Sequence, residues 1–352
     1  MEEKIVLIIG TGTIGEPLIA LFTRLKKQLG INEVYFHKHQ ALATDKSKVV
    51  QLLKLGARLC VTSRKKMEEF QAIGLHPECI INEALNKATV VVDCTPSGQG
   101  INNKEQFYEV FTHNTRGFIA QGTEYGFGKP YAYTINDSAI GLEDQFIQVV
   151  SCNAHNIACL IKTLVFDEQS ILKHGNFVCI RRAGDISQLE MIASPTVNRH
   201  DCGFGTHHAR DVHRLFATVN KNLNVFSSSI VVPTQYMHVV QFNLELTRPM
   251  SLTEVTDRIK SNPLIATTDK MDTGRVFSFI RDHSPLYGRL LNQSIVSLPT
   301  LHVDDNRVTG FAFTSQDGNS ILSSAVAVER FLYPDSYKDK IKCLNDLVFE
   351  EV

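Results

Sequence analysis

A cysteine lies in the segment VVSCNAHNIACL, residues 149–160, between a β-branched apolar run and a segment with helical periodicity. If the second segment is a helix, Cys152 lies near its N-terminus, where the helix dipole lowers a thiol pKa and favours the thiolate. Cys159, seven residues further on, would then lie on the buried face and belong to the core. The pattern predicts a nucleophile at Cys152, and an inert core cysteine is the alternative.

A glycine-rich segment, GTGTIG, follows the first apolar run and precedes the first predicted helix. Its GxGxxG spacing in a strand–turn–helix context is typical of dinucleotide-binding loops. Gly10 permits the tight turn, Gly12 lets the backbone approach a pyrophosphate, and Gly15 lets the helix pack closely on the strand. The N–H groups and positive dipole end of that helix would bind the phosphates. A plain glycine-rich turn is the alternative.

The end of the second predicted strand indicates which dinucleotide binds. NAD-preferring domains usually carry an Asp or Glu there, which accepts a hydrogen bond from the ribose 2′-OH. This chain has His37, Lys38 and His39 instead, and a cationic cluster suits a 2′-phosphate. The sequence therefore favours NADP, with dual use of NADP and NAD or three solvated loop residues as the alternatives.

The surrounding segments alternate between strand and helix patterns in the first half of the chain. The predicted strands are KIVLIIG, EVYFHKH, ARLCVTS, ATVVVDCTP, GFIAQG and QFIQVVSCN, and the predicted helices are GEPLIALFTRLKKQLG, KSKVVQLLKLG, RKKMEEFQAIG and KEQFYEVFTHN. This order predicts an α/β domain with a doubly wound parallel sheet and right-handed crossovers.

The pattern changes from about Phe177, where the predicted strands become longer and lack intervening helices. A second, mostly antiparallel mixed sheet is expected there, with helical pieces near 209–219 and 252–260. The segment SILSSAVAVERFLYP is predicted to be a helix that packs back on the first domain. The expected domains are therefore 1–151 for the dinucleotide, 152–320 for catalysis, and a C-terminal helical segment, 321–352, that returns to the first.

Composition excludes several classes of partner. The chain has 352 residues, of which 43% are hydrophobic and 21% are charged, and its net charge is −1. No long-range field would attract nucleic acid or an anionic membrane. No apolar run approaches the roughly 18 residues of a membrane span, and IVLIIG after MEEK is too short for a signal peptide. Eight cysteines without CxxC spacing indicate reduced thiols, so a cytoplasmic protein is expected.

Seven blocks of the sequence carry a family resemblance. They are GTGTIG, VVVDCTPSGQGINNK, QGTEYG, VVSCN, RRAGD, THHARDV and VPTQYMHV. In this order and approximate spacing, the chain resembles the archaeal-type (type II) glyceraldehyde-3-phosphate dehydrogenases over nearly its whole length. The resemblance implies a Rossmann-type nucleotide domain, a mixed-sheet catalytic domain with the thiol, and a homotetramer. It also implies a phosphorylated aldehyde and inorganic phosphate as substrates, and NADP or NAD as the cofactor.

The resemblance also implies roles for individual residues. Cys152 matches the nucleophile and His238 the general base. The substrate contacts are implied at Ser151, Asn153, Arg181, His207 and His208. The cofactor contacts are implied at Thr13, Ile14, Lys38, Gly122, Arg182 and Gln316. In this chemistry the thiolate adds to the aldehyde, hydride leaves as His238 takes the hydroxyl proton, and inorganic phosphate attacks the resulting thioester.

Two departures from the family pattern stand beside this resemblance. Ala154 and His155 occupy positions where the family usually has two threonines, so hydroxyl ligands for a phosphate would be missing. The loop after Gln316 reads DGNS rather than the usual longer run, which affects the alignment of that glutamine.

Three other readings remain open. The segment HDCGFGTHHARDVH contains His200, Cys202, His207, His208 and His213, which could bind zinc, although the spacing matches no common zinc pattern. No metal is expected if the family resemblance explains the histidine pair. A related acyl-phosphate or semialdehyde dehydrogenase with another phosphorylated aldehyde is a second reading. A non-catalytic binding protein on the same fold is the third.

Overall fold

The computed structural model describes residues 3–141, 143–166, 170–184, 192–201, 203–315 and 317–352. The chain divides into two compact units. The first contains Met1–Tyr131, Ile140–Val149 and Ser323–Asn345, and the second contains Ala132–Ala139, Val150–Leu322 and Asp346–Val352. The chain therefore enters the second unit for the short stretch 132–139 before the long one, and its last seven residues belong there as well.

The first unit is built on an eight-stranded sheet. Its strands are β1 (Ile5–Ile9), β2 (Glu33–His37), β3 (Arg58–Val61), β4 (Cys79–Ile80), β5 (Val90–Asp93), β6 (Gly117–Gln121), β7 (Lys129–Tyr131) and β8 (Phe146–Val149). They lie in the order β4-β3-β2-β1-β5-β6-β8-β7, and every neighbouring pair is parallel. The helices are α1 (Gly15–Leu29), α2 (Lys46–Leu55), α3 (Arg64–Ala72), α4 (Ile81–Lys87) and α5 (Gln99–Gln106).

The central strands of this sheet form because they are apolar throughout. All five residues of β1 and all four of β5 are buried, as expected for strands covered on both faces. Glycine ends α1 and α2, because Gly30 and Gly56 adopt the left-handed conformation that closes a helix at its C-terminus. The predicted strand–helix alternation and the doubly wound sheet are confirmed.

The fourth predicted helix differs from the observed one. The segment KEQFYEVFTHN was expected to be helical, but α5 begins earlier, at Gln99, and a short 3₁₀ helix covers Tyr108–Phe111. The early start has a physical cause, because the Glu124 carboxylate accepts hydrogen bonds from the N–H groups of Gly98, at 2.5 Å, and Ile101, at 2.9 Å. A side chain distant in sequence therefore determines where this helix begins.

The second unit contains another eight-stranded sheet. Its strands are β9 (Leu172–Arg182), β10 (Thr196–Val197), β11 (Val225–Val232), β12 (His238–Leu246), β13 (Ile265–Thr268), β14 (Ser294–Ser297), β15 (His302–Asp304) and β16 (Arg307–Thr314). Seven lie in the order β10-β11-β9-β12-β16-β14-β13, and β15 pairs with β16. Its helices are α6 (Cys152–Val165), α7 (His207–Ala217), α8 (Leu252–Ser261) and α9 (Thr273–His283).

This sheet confirms the predicted mixed architecture. The β11–β9 and β13–β14 pairs are parallel, and the other pairs are antiparallel. Helix α6 is buried along most of its length, and Cys159 on it is 1% exposed within the main core of this unit. The predicted core position of Cys159 is therefore confirmed. Helix α10 (Gly318–Leu332) and the short α11 (Tyr337–Lys340) complete the chain.

Over the residues with described structure, no helix has both the length and the apolar character that a membrane crossing requires.

Candidate active site

The glycine loop has the geometry that a dinucleotide requires. Gly10 has a φ of +98°, and a Cβ there would lie 2.9 Å from the Cys94 carbonyl oxygen. A Cβ on Gly15 would lie 2.2 Å from the Gly10 carbonyl oxygen, so only glycine allows α1 to start this close to β1. At Gly12, by contrast, no atom lies within 4 Å of the position a Cβ would take. The space above this backbone is therefore open to a ligand.

The start of α1 is suited to phosphate. Ile14 is its N-cap residue and supplies no side-chain hydrogen bond to the first turn. Thr13 precedes it and is partly exposed. An uncapped N-terminus of a 15-residue helix presents N–H groups and positive potential to an anion. These residues fit the pyrophosphate of a dinucleotide.

A second glycine stands at the carboxyl edge of the same sheet. Gly122 follows β6 with a φ of +72°, and no atom lies within 4 Å of the position a Cβ would take. Its N–H donates to the Val149 carbonyl at 2.8 Å, and its carbonyl accepts from the Gln148 side chain at 2.7 Å. Gly122 is therefore held by β8 on one side and open on the other, which fits the cofactor contact expected there.

Lys38 is not a free cation. It follows β2, its side chain is largely buried, and its Nζ lies 2.6 Å from Oδ2 of Asp45. The lysine is the first cause that lowers the pKa of Asp45. His37 is also not a cation at neutral pH, because burial lowers its pKa to about 4. The cluster predicted from the sequence is therefore less positive than its residue types indicate.

In the second unit, Cys152 is the first residue of α6, and Ser151 caps the helix with Oγ 3.4 Å from the Ala154 N–H. The thiol is partly exposed. Desolvation nevertheless raises its pKa to about 12, the Asp317 carboxylate raises it further, and Arg182 and Arg181 oppose this rise. The pKa of Cys152 is therefore raised rather than lowered, because desolvation outweighs the charges of the two arginines and the hydrogen bond from the Asn153 N–H.

The two residues that depart from the family pattern point inward. Ala154 and His155 are both 0% exposed. Nδ1 of His155 lies 3.1 Å from the Ser151 carbonyl oxygen, and burial lowers the pKa of the imidazole to about 4. These side chains belong to the packing of α6, so neither is placed to contact a substrate.

The two arginines that end β9 have different surroundings. Arg182 is buried and forms an ion pair with Asp317 at 3.0 Å. For the Arg181 guanidinium, the described part of the chain offers no ion-pair or hydrogen-bond partner. Its charge nevertheless acts on Cys152 and on three histidines, and lowers the pKa of each. Among the described residues, Arg181 is thus a positive charge without an acidic partner, and it acts on the thiol.

His238 begins β12, next to β9 in the sheet. Its Nδ1 accepts a hydrogen bond of 2.9 Å from the backbone N–H of Arg182. Burial holds the pKa of His238 well below its ordinary value, and the charges of Arg182 and Arg181 add to this effect. A neutral imidazole that accepts at Nδ1 carries its proton on Nε2. His238 therefore presents a hydrogen-bond donor at Nε2.

The histidine pair at the start of α7 is divided between surface and interior. The rings of His207 and His208 lie 3.9 Å apart between centroids. His208 is 2% exposed, with Nδ1 2.9 Å from Thr206 Oγ1 and Nε2 3.5 Å from Asn153 Nδ2. His207 is more exposed, and burial followed by the charge of Arg181 lowers its pKa to about 4. Both imidazoles are neutral at pH 7, and His207 is the more accessible one.

Asn153 is bound into the interior rather than open to solvent. It is 2% exposed, and its Oδ1 accepts a hydrogen bond of 3.0 Å from Thr314 Oγ1. Thr314 in turn pairs with His238 across β12 and β16. The side chain of Asn153 thus connects the helix that begins at Cys152 to β16, the strand that pairs with the one carrying His238.

Two residues of this site were not predicted from the sequence. Asp317, with a φ of +62°, supplies the carboxylate that pairs with Arg182. The Asn319 amide donates to the Cys152 carbonyl at 2.9 Å and to the Gln293 carbonyl at 3.1 Å. Both residues lie in the segment SQDGNS, whose sequence stands out only because it differs from the family pattern. Gln316, the predicted cofactor contact in that motif, lies outside the described residues.

The zinc reading has no support from the residues with assigned positions. No group of three or more histidine, cysteine or acidic side chains in that part of the chain could hold a metal ion. His213 contacts the Leu223 carbonyl at 3.0 Å, whereas His200 contacts Ser228 Oγ at 3.0 Å. Cys202, the cysteine of the predicted cluster, lies outside the described residues.

Comparisons with known proteins bear on the family. No protein-family model matches the chain. The chain is 28% identical over 272 residues to a glyceraldehyde-3-phosphate dehydrogenase of Aeropyrum pernix, which covers 75% of this chain and 73% of that relative. A relative of the same name from Sulfolobus acidocaldarius is 23% identical over 98% of this chain and 97% of its own length. For that of Metallosphaera sedula, at 26% identity, the match spans 60% of the relative.

These similarities agree with the seven motif blocks and with the two-sheet architecture. The family resemblance is therefore confirmed: the chain is similar to archaeal glyceraldehyde-3-phosphate dehydrogenases at 23–28% identity.

Proposed function

We propose that the chain is a phosphorylating glyceraldehyde-3-phosphate dehydrogenase that uses NADP or NAD. It oxidises glyceraldehyde 3-phosphate to 1,3-bisphosphoglycerate, or catalyses the reverse, through a thioester on Cys152. The observation that carries this proposal is the Arg181 guanidinium, which has no ion-pair partner among the described residues and whose charge lowers the pKa of the Cys152 thiol. A cation that acts on a nucleophile in this way suits a substrate that brings its own negative charge. The names of the relatives agree with this reading.

The substrate phosphate binds to Arg181 and His207. Arg181 supplies the positive charge, and His207, neutral and partly exposed, donates a hydrogen bond. His208 contributes indirectly, because both of its ring nitrogens already contact neighbours, Thr206 and Asn153. Ser151 and Asn153 fix the first turn of α6 and thereby the position of the thiol.

The reaction follows from the protonation states of the site. Cys152 loses its proton to solvent and adds to the aldehyde carbon, which gives a hemithioacetal oxyanion. His238 stabilises this oxyanion through Nε2–H, since Nδ1 already accepts from Arg182. A bound nicotinamide would supply the hydride acceptor for the oxidation of the hemithioacetal to the thioester. Inorganic phosphate then attacks the thioester, and the Cys152 thiolate leaves.

This assignment gives His238 a different part from the general base expected from the sequence. A base at Nε2 would need the other tautomer, with the proton on Nδ1. The backbone N–H of Arg182 opposes that tautomer because two donors would then face each other at 2.9 Å. The thiol proton is released to solvent, and the Cys152 thiolate takes up the proton of hydrogenphosphate as it leaves, so the donor role leaves no proton unaccounted for.

The proposal includes the roles of the domains and the oligomeric state. Cofactor binding is assigned to residues 1–151 with the C-terminal segment 321–352, and catalysis to residues 152–320. A homotetramer in the cytoplasm is expected by analogy with the family. Sedimentation of the purified protein would test the tetramer.

The function is tested by following NADPH or NADH formation with glyceraldehyde 3-phosphate in the presence and absence of inorganic phosphate. We expect oxidation that depends on phosphate and on Cys152, with Cys159→Ser as the matched cysteine control. Turnover of another aldehyde, such as aspartate semialdehyde or another phosphorylated aldehyde, and not of glyceraldehyde 3-phosphate would favour the related semialdehyde dehydrogenases. No turnover of any aldehyde would favour the non-catalytic reading.

A further inference from the structure

Lys38 and Asp45 are in contact, and each is of a residue type that recognises one of the two nicotinamide cofactors. The Lys38 Nζ and Asp45 Oδ2 atoms are 2.6 Å apart, and the side chains are 10% and 28% exposed. A lysine beside the adenosine ribose binds a 2′-phosphate, whereas a carboxylate there accepts a hydrogen bond from a 2′-hydroxyl. This chain has both groups, in contact with each other.

The backbone places this ion pair beside the glycine loop. β2 ends at His37, whose carbonyl accepts a hydrogen bond from Gly10 at 3.2 Å. Lys38 follows directly, and its N–H donates to the Cys60 carbonyl of β3 at 3.1 Å. Asp45 precedes α2, and Lys48 in that helix donates to the Thr11 carbonyl at 3.3 Å. Both partners of the ion pair are thus tied to elements that adjoin the loop.

The Asp45 carboxylate offsets the positive charge of Lys38, and the histidines on either side of the lysine do not restore it. His37 Nε2 and His39 Nδ1 lie 3.1 and 3.2 Å from the same atom, Thr62 Oγ1. Burial and its two neighbours lower the pKa of His37 to about 4, so this ring is neutral at pH 7. A 2′-phosphate would therefore have to compete with the Asp45 carboxylate for Lys38, and the two anions would repel each other.

We propose that Asp45 determines the cofactor preference, because it accepts the 2′-hydroxyl of NAD and opposes the 2′-phosphate of NADP. This inference rests on the proposed function, since it needs a nicotinamide dinucleotide at the glycine loop. It also changes the expectation from the sequence. The acid that is missing at the end of β2 is supplied eight residues later, so the chain uses both cofactors and favours NADP only weakly.

The test is binding of NAD, NADP and two fragments, 5′-AMP and 2′,5′-ADP, measured by calorimetry on the whole protein without substrate. Asp45→Asn is expected to strengthen binding of NADP and 2′,5′-ADP by about tenfold and to weaken binding of NAD by a few-fold. Lys38→Ala is expected to weaken NADP and 2′,5′-ADP and to leave NAD nearly unchanged.

The matched control is Asp144→Asn, which removes a carboxylate from another 2.6 Å pair with a lysine, Lys129. It is expected to leave the ratio of the two affinities unchanged. Asp45→Glu, which keeps the charge, should keep the wild-type ratio and guards against a folding defect in Asp45→Asn. Equal effects of Asp45→Asn on both cofactors would overturn this inference alone. Failure of the wild type to bind either dinucleotide would overturn the proposed function together with it.

Discussion

The backbone N–H of Arg182 donates a hydrogen bond to Nδ1 of His238 at 2.9 Å, and this contact places the proton of the neutral ring on Nε2. The same arginine forms an ion pair with Asp317 through its side chain, at 3.0 Å. Asp317, in turn, is the charge that most raises the pKa of Cys152 after desolvation. The histidine, the arginine, the Asp317 carboxylate and the thiol therefore form one connected set.

The donor role of His238 is tested by comparing two amide replacements. Gln can place an N–H near the Nε2 position, whereas Asn ends near Nδ1 and leaves the substrate oxygen without a donor. We expect His238→Asn to lower kcat by about 100-fold or more and His238→Gln to lower it by about tenfold or less. Steady-state kinetics of the two variants decide the point. Equal, large losses in both would indicate that His238 acts as a base.

Asp317 is expected to suppress the reactivity of Cys152 in the protein without ligands. Its carboxylate raises the pKa of the thiol, so Asp317→Asn should lower that pKa and speed alkylation at pH 7.5 by about tenfold. The rate of iodoacetamide labelling at Cys152, followed by peptide mass spectrometry between pH 6 and 10, rises with the thiolate fraction and therefore reports the change in pKa. Asp282→Asn, an exposed ion-pair partner of Arg281, is the control and should have no effect. An unchanged pKa of Cys152 in Asp317→Asn would show that the carboxylate does not act on the thiol.

His155 is expected to weaken the protein in acid. The neutral ring is buried in the fold with a pKa of about 4, whereas the unfolded chain binds a proton near its ordinary value of 6.5. This contribution to stability is full above pH 6.5 and is lost as the pH falls toward 4. Between pH 7.5 and 5.0 it decreases by about 2 kcal/mol. Urea unfolding followed by circular dichroism should show that His155→Asn loses less stability than the wild type over this range. Parallel curves for the two proteins would be inconsistent with a buried neutral ring.

Glu329 should act in the opposite direction. It lies on α10, is 0% exposed, and neither carboxylate oxygen has a hydrogen-bond partner among the described residues. Burial raises its pKa to about 8. The protonated form is therefore compatible with the fold below pH 4.5, and stability is lost as the pH rises from there to about 8. Glu329→Gln, which cannot ionise, should gain about 1.4 kcal/mol relative to the wild type for each pH unit between 5 and 7. Melting temperatures of both proteins across this range would show the gain, and a constant difference would contradict it.

Much of the fold was predictable from local patterns. Continuous apolar runs such as β1 and left-handed glycines such as Gly30 and Gly56 are local signals, and they place the parallel sheet and its helices well. The two-residue strand β4 and helices α4 and α9 were missed because their segments are short or only weakly periodic. The parallel pairs in the second sheet depend on connections through helices, which strand patterns alone do not specify.

The candidate site was predictable by residue type but not by charge. The sequence indicated a thiol, histidines and arginines, whereas their protonation depends on burial and on partners remote in the chain. Asp317 reaches Arg182 across 135 positions, and Asp45 reaches Lys38 through a turn with no recognisable motif. Asp317 raises the pKa of Cys152, where the sequence predicted a lowered pKa, and Asp45 reduces the positive charge predicted at Lys38.

The covalent role of Cys152 is tested directly by trapping the acyl-enzyme, the thioester between Cys152 and the substrate. The protein is mixed with NADP and glyceraldehyde 3-phosphate without inorganic phosphate, quenched in acid and analysed by intact and peptide mass spectrometry. We expect one phosphoglyceroyl group per chain, bound to Cys152. This group should disappear when phosphate is added before the quench. Cys159→Ser should behave as the wild type, and Cys152→Ser should show no adduct and no NADPH. An adduct on another residue, or NADPH formation by Cys152→Ser, would contradict the mechanism.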